Sequence, residues 1–221
     1  MTASCGTITG VGHFAPARLV TNQYFNDLYG KDIDSFLQER RNIKQRYFME
    51  EGQSTSDLII PAEEKAIEMA GLTATDLDLI IVATDTPDYV SPSTSSVVQH
   101  KLGATKAGCF DMNSACAGFV TALDTANKFI VADSAYTNIL VVGAYGMSRY
   151  LDFDDYKIAS MFADGAGACV VSRSKDGSGF LASELYADGQ YHDYMGIYAG
   201  GTHKPVTHDV IENKEHLLSF A

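Results

Sequence analysis

The residue with the clearest chemical potential is Cys116, in the stretch FDMNSACAGF from Phe110 to Phe119. An apolar run ends near Met112, a short turn follows, and an amphipathic segment reads as a helix from about Cys116 to Val131. A thiol at a helix start meets unpaired N–H groups and the positive end of the dipole, which favour the thiolate. A backbone N–H at the same point can hold a developing oxyanion. The small neighbours Ala115, Ala117 and Gly118 leave room for an acyl group to approach. The same cysteine also reads as a small buried hydrophobe among alanines, and its position alone does not decide between the two. Cys5, Cys109 and Cys169 lie on strands or near a terminus, and they read as packing residues.

Other reactive side chains are less organised. The cysteines form no C-x-x-C pair and have no histidine at ligand spacing, so no metal site is expected. His192, His203, His208 and His216 fall in or after a Gly- and Tyr-rich stretch and read as solvated loop residues. The segment FLQERRNIKQR, Phe36 to Arg46, is the one dense basic cluster. It reads either as a ligand-binding patch or as a solvated helix face bearing Arg40, Arg41, Lys44 and Arg46. The turn ADGAGA, Ala163 to Ala168, matches neither a dinucleotide-binding nor a P-loop pattern in full.

These residues need a scaffold, and the apolar pattern supplies one. Strands are expected at Gly6–Phe14, Leu77–Asp85, Gly108–Met112, Asn138–Gly146, Ala166–Ser174 and Gly179–Ala187. The unbroken apolar run from Leu79 to Ala83 suggests a strand covered on both faces. Helices are expected over Ser54–Leu72, with Gly71 as its stop, and over Ser93–Leu102, closed by Gly103. Phe119, Leu123, Ala126 and Ile130 form one apolar stripe on the third helix, the one that follows the cysteine. Alternating strand and helix indicate an α/β layered sheet. After Ala187 the periodicity stops, and the tail reads as a surface loop or pocket lid.

Composition bounds the partners. A chain of 221 residues that is 46% hydrophobic buries a substantial core, and its formal net charge of -12 argues against nucleic-acid binding. The opening MTASCGTITGVG shows neither a charged leader nor an apolar span, so no membrane segment is expected, and free thiols suit a reducing cytoplasm.

The segments FDMNSACAGFVTALDTANKFI and FADGAGACVVSRS together resemble the β-ketoacyl-acyl-carrier-protein synthase III family of the thiolase superfamily. ITGVGHFAPARLVTN, AIEMAGLTATDLDLIIVAT, SPSTSSVVQHKLGA and NILVVGA fall in the family's order. The resemblance implies a thiolase-like layered αβαβα fold. This chain would supply mainly its N-terminal half, with residues 1–187 carrying the nucleophile and 188–221 forming a loop or lid and the start of a connection to a C-terminal half. It implies a decarboxylative Claisen condensation of an acyl-CoA with malonyl-acyl carrier protein, with Cys116 as the acylated nucleophile. No cofactor is implied beyond the CoA thioester substrate. Acyl carrier protein and a second copy of the chain, in a homodimer, are the implied partners.

Further roles follow from the resemblance alone. Phe36 stands where the family has a tryptophan that stacks on adenine, and Arg40 matches an arginine that meets the nucleotide end. Tyr156 and Lys157 replace another arginine and a glycine found there in some members. Asp164 is expected to bond backbone amides in a structural turn. ATDTPDYVSPS matches a loop that crosses the family's dimer interface, with Ser91 where some members place a phenylalanine. The family's histidine, asparagine and second oxyanion donor come from its C-terminal half, so residues 1–221 by themselves are expected not to condense. A non-catalytic thiolase-like subunit that binds acyl groups or a partner stays open as the alternative. A cysteine hydrolase is weaker, because no hydrolase elbow or histidine motif accompanies Cys116.

Overall fold

A computed structural model describes residues 5–220. The first four residues of the opening stretch, and Ala221, lie outside them. In chain order the elements are β1 (Gly6–Phe14), β2 (Arg18–Thr21), α1 (Asn22–Tyr29), α2 (Asp34–Arg41), β3 (Gln45–Phe48), α3 (Thr55–Met69), β4 (Leu79–Ala83), α4 (Thr94–Leu102), β5 (Gly108–Met112), α5 (Gly118–Ala132), β6 (Asn138–Gly146), α6 (Tyr156–Ala159), β7 (Asp164–Arg173), β8 (Met195–Gly196), α7 (His208–Glu212) and β9 (Ser219–Phe220). They fall into two compact units. One comprises the chain up to Pro16, Met49–Gly146 and Gly165–Leu185, and the other Ala17–Phe48, Met147–Asp164 and the chain from Tyr186 onward.

The first unit is built on a five-stranded sheet in the order β1-β7-β6-β4-β5. β4 runs parallel to both β5 and β6, while β1 is antiparallel to β7. Side chains of a strand alternate between faces, and here both faces are apolar. On one side Ile80, Val82, Leu140, Val142, Ala168 and Val170 pack with Leu58, Ala62 and Ala66 of α3 and Val98 of α4. On the other, Leu79, Ile81, Ile139, Val141 and Val171 pack with Ala122, Ala126 and Ile130 of α5. Both faces of β4 are therefore dry, as its unbroken apolar run requires.

Local chemistry fixes the helix ends. Ser54 and Asp57 form a capping box at the start of α3, with the Ser54 N–H donating to Asp57 at 2.8 Å. Asp111 of β5 accepts from the N–H groups of Thr94 and Ser95 at 2.7 Å each, so a strand side chain anchors the first turn of α4. Gly103 closes α4 in the left-handed region, at φ 72°.

Two expectations need correction. Residues 179–187 do not form a strand; Phe180 N–H donates to Gly6 O at 2.9 Å, but the segment then turns outward, with Leu181 97% and Tyr186 87% exposed. Its apolar pattern finds no ladder to join. Nor do Arg40 to Arg46 form one solvated helix face. α2 ends at Arg41, and Arg46 lies on β3, in the second unit, with 4% of its surface exposed. Its guanidinium donates to Ser160 O at 2.8 Å and Val20 O at 3.3 Å and lies 4.7 Å from the Phe25 ring centroid. Burial brings its pKa down to about 10.

In the same unit β2 and β3 form an antiparallel pair, as do β8 and β9. His192 and His203 are exposed in loops as expected, His208 is exposed but opens α7, and His216 is half-buried. Asp164 is buried and accepts from the Ser148 N–H at 2.8 Å, so it bonds a backbone amide as expected.

Glu63 on α3 is fully buried, and neither of its carboxyl oxygens has a hydrogen-bond partner. Burial, with Glu64 adding to it, holds this carboxyl well above its ordinary 4.5. The unfolded chain therefore ionises first as pH rises, and the native state loses stability from about that ordinary value upward. Glu63→Leu is expected to stabilise the fold by about 1–3 kcal/mol at pH 8, with the gain shrinking towards pH 4. Denaturant titrations at the two pH values check this; an equal or reversed effect at pH 8 opposes it.

Candidate active site

The parallel strands β4 and β5 end level with one another, Ala83 beside Met112, while β6 pairs with Ala83 at Gly143 and runs on to Gly146. The crevice beyond the carboxyl ends of such strands is where α/β sheets hold ligands. Here it is a cavity of about 310 Å³. Thr84 and Asp85 enter it after β4, Ala115 and Cys116 after β5, Ala144 and Tyr145 from β6, and Gly165 to Gly167 from β7. Apart from Phe119 and Tyr145 these walls are small side chains, which is what leaves the space.

Cys116 is exposed at the cavity wall, in a short 3-10 turn over Ala115–Ala117. The turn is held by Asn113, whose side-chain oxygen accepts from the Ala115 N–H at 3.1 Å, and by the Ala117 N–H donating to Ser114 O at 3.1 Å. Ala115 has φ 45°, a conformation that costs an L-residue roughly 1–2 kcal/mol. The chain thus leaves β5 through a sharp, strained corner that sets the cysteine at its tip. α5 begins at Gly118, two residues later than the sequence pattern suggests, because the left-handed step at Ala115 keeps the corner out of the α-helix. Gly118 is buried against Ala83, and a Cβ there would lie 3.2 Å from the Ala83 Cβ, so the glycine lets α5 start close to the sheet.

The other cysteines are placed differently. Cys169 is buried in the sheet, and desolvation pushes its thiol up to about 12. Cys109 packs partly buried against the α3 side of the sheet. Among the described residues no group of histidine, cysteine or carboxylate side chains could hold a metal ion. No helix among them is long and apolar enough to cross a membrane.

A second cavity, of about 540 Å³, lies within the other unit. Phe36 lines it, 44% exposed, with Lys31, Arg41, Tyr156 and Lys157 around it. The Arg41 guanidinium lies 5.3 Å from the Phe36 ring centroid, and the Lys31 ammonium 3.1 Å from that of Tyr156. Arg40 is exposed on α2 and is not among the lining residues. Lys31, Arg41 and Lys157 bring positive charge to this cavity, opposed in part by Asp32; Arg41 and Lys157 were named from the sequence, whereas Lys31 was not. Asp85 was missed in the same way, since a lone aspartate in a loop carries no spacing signal.

The family model of 3-oxoacyl-[acyl-carrier-protein] synthase III matches residues 110–189, a segment that includes the cysteine corner and β7. Among curated proteins, the chain is 39% identical over 211 residues to a β-ketoacyl-[acyl-carrier-protein] synthase III of Caldanaerobacter subterraneus, covering 96% of this chain and 63% of the relative. It is 42% identical over 196 residues to the enzyme of the same name from Ehrlichia canis, covering 88% of this chain and 60% of that one. Among solved structures, the 3-oxoacyl-[acyl-carrier-protein] synthase III of Aquifex aeolicus superposes with a TM-score of 0.83 at 36% identity, over 87% of this chain and 62% of the other. The chain spans about three fifths of the length of these relatives. Its layered α/β architecture is theirs, and the agreement extends over nearly all of its residues. Over nearly all of its own residues the chain is thus similar to members of the 3-oxoacyl-[acyl-carrier-protein] synthase III family.

Proposed function

We propose that the chain is the nucleophile-bearing part of a 3-oxoacyl-acyl-carrier-protein synthase that condenses an acyl-CoA with malonyl-acyl carrier protein. The observation that carries this reading is the exposed Cys116 at a strained corner, facing a cavity walled by small residues. The Cys116 sulfur attacks the thioester carbonyl of the donor, a new C–S bond forms, the bond to CoA sulfur breaks, and CoA leaves as its thiol with the proton. Malonyl-acyl carrier protein then loses carbon dioxide, and the electron pair of the broken C–C bond becomes an enolate carbon that attacks the Cys116 thioester. The C–S bond to Cys116 breaks, giving a 3-oxoacyl thioester and the free thiol.

Phe36 and Arg40 belong to the proposed CoA site, with Phe36 stacking on the adenine. The cations of Lys31, Arg41 and Lys157 suit the phosphates of the same nucleotide. Tyr89 and Val90, 57% and 90% exposed at the tip of the loop after β4, suit the interface of a homodimer. A cytoplasmic setting, without cofactor, membrane or nucleic acid, suits a reaction that needs a free thiol.

Incubation with acetyl-CoA tests the acylation step. One acetyl mass is expected on the intact protein, with peptide mapping placing it on Cys116. Label on Cys109 or Cys169 instead, or no label at all, would remove the basis of the proposal.

A further inference from the structure

Asp85 is the carboxylate among the described residues lining the Cys116 cavity, and nothing in the condensation assigned above uses it. Its position is firmly built. Thr84 N–H donates to Met112 O at 3.0 Å, tying the residue before it to β5. Thr86, the residue after it, is 1% exposed. Its hydroxyl oxygen accepts from the Gly146 N–H at 2.8 Å, and its carbonyl accepts from the Thr55 hydroxyl at 2.6 Å. The Thr86 N–H in turn donates to the Thr84 hydroxyl oxygen at 3.0 Å. The aspartate is therefore held between two pinned threonines at the mouth of parallel strands, on the wall of the cavity that Cys116 also lines.

We infer that Asp85 sets the acyl-donor preference of this site, favouring a short acyl group that bears a hydroxyl over its plain alkyl counterpart. The inference rests on the acyl-transfer reading of Cys116. An alkyl chain entering the cavity strips water from a half-buried carboxyl and gives it nothing in return, which is costly. A hydroxyl on the chain restores the lost hydrogen bond. Burial holds the Asp85 carboxyl above its ordinary range, and the hydroxyl suits it in either form: it donates to the carboxylate and accepts from the acid. Sites built around one such polar group discriminate strongly against analogues that lack the matching group.

The test compares 3-hydroxybutyryl-CoA with butyryl-CoA as donors, reading the rate of Cys116 acylation by intact mass. The protein is expected to prefer the hydroxylated donor by roughly tenfold or more. In Asp85→Ala the preference should fall to near unity, mainly through faster acylation by butyryl-CoA, and Asp85→Asn should retain part of it. Each variant is its own control across the two donors, so a general loss of activity or stability cancels, and Asp85→Asn keeps the comparison if the alanine variant folds poorly. Acylation by both donors at an unchanged ratio in the variants overturns this inference and leaves the acyl-transfer reading standing. Acylation by neither donor overturns both.

Discussion

Cys116→Ser is expected to abolish acyl transfer from CoA thioesters, by roughly three orders of magnitude or more, while leaving the fold intact. Serine keeps the shape of the corner, but its hydroxyl needs a general base to become a nucleophile. Among the described residues lining the cavity there is no histidine to act as one. Cys116 is exposed and lies outside both apolar clusters, so the stability change should stay within about 0.5 kcal/mol. Cys169 cannot stand in for it, because a thiol pushed up to about 12 remains protonated at neutral pH. Acyl mass and thermal melting, measured on the same sample, check both halves. A variant that melts normally and is still acylated would show that the cavity serves some other nucleophile.

The cysteine corner was legible in the sequence because its parts are local. An apolar strand, a turn of Asn, Ser and Ala, and a striped helix lie within some twenty consecutive residues, and the fold keeps them in that order. β1, β5 and β6 match the expected bounds, and β4 and β7 differ by one or two residues at their ends. What failed was whatever depends on a distant partner. Residues 179–187 have the composition of a strand, yet after the single bond from Phe180 N–H to Gly6 O the segment leaves the edge of β1 instead of pairing along it. β2 and β3 escaped notice for the opposite reason: each is four residues long and carries Arg18, Arg46 or Gln45, so neither shows an apolar run.

Arg46 shows the same limit at the level of one side chain. The residues just before it, Lys44 and Gln45, are polar or charged, which predicts solvent. Its burial follows from the carbonyls of Val20 and Ser160, 26 and 114 residues away along the chain. Asp85 joins Cys116 on one cavity wall only because β4 and β5 are adjacent and parallel, which brings together residues 31 positions apart. Periodicity predicts that such strands exist, but the order in which they pair decides which loops meet, and with that the chemistry of the cavity.

Gly12→Ala should destabilise the first unit by at least about 3 kcal/mol, and by enough to leave little folded protein at 37 °C. β1 carries glycine at positions 10 and 12, which point to one face because side chains alternate along a strand. α3 lies against that face at backbone distance. A Cβ on Gly12 would stand 2.0 Å from the Ala62 carbonyl oxygen and 2.8 Å from the Ala66 nitrogen, and one on Gly10 would stand 2.0 Å from the Ala66 carbonyl oxygen. These are helix backbone atoms, so no rotamer change relieves the overlap. To make room α3 must lift from the sheet, and it carries Leu58, Ala62 and Ala66 of the core that covers β4 and β6. The added methyl group therefore acts across the whole α3 side of the sheet. Gly167→Ala is the control: it lies on β7 with nothing within 4 Å of its Cβ position, and its stability should change by no more than about 0.5 kcal/mol. Chemical denaturation of the two variants checks the contrast. Equal stabilities would mean that α3 does not approach β1 this closely, and the packing that buries β4 would need another explanation.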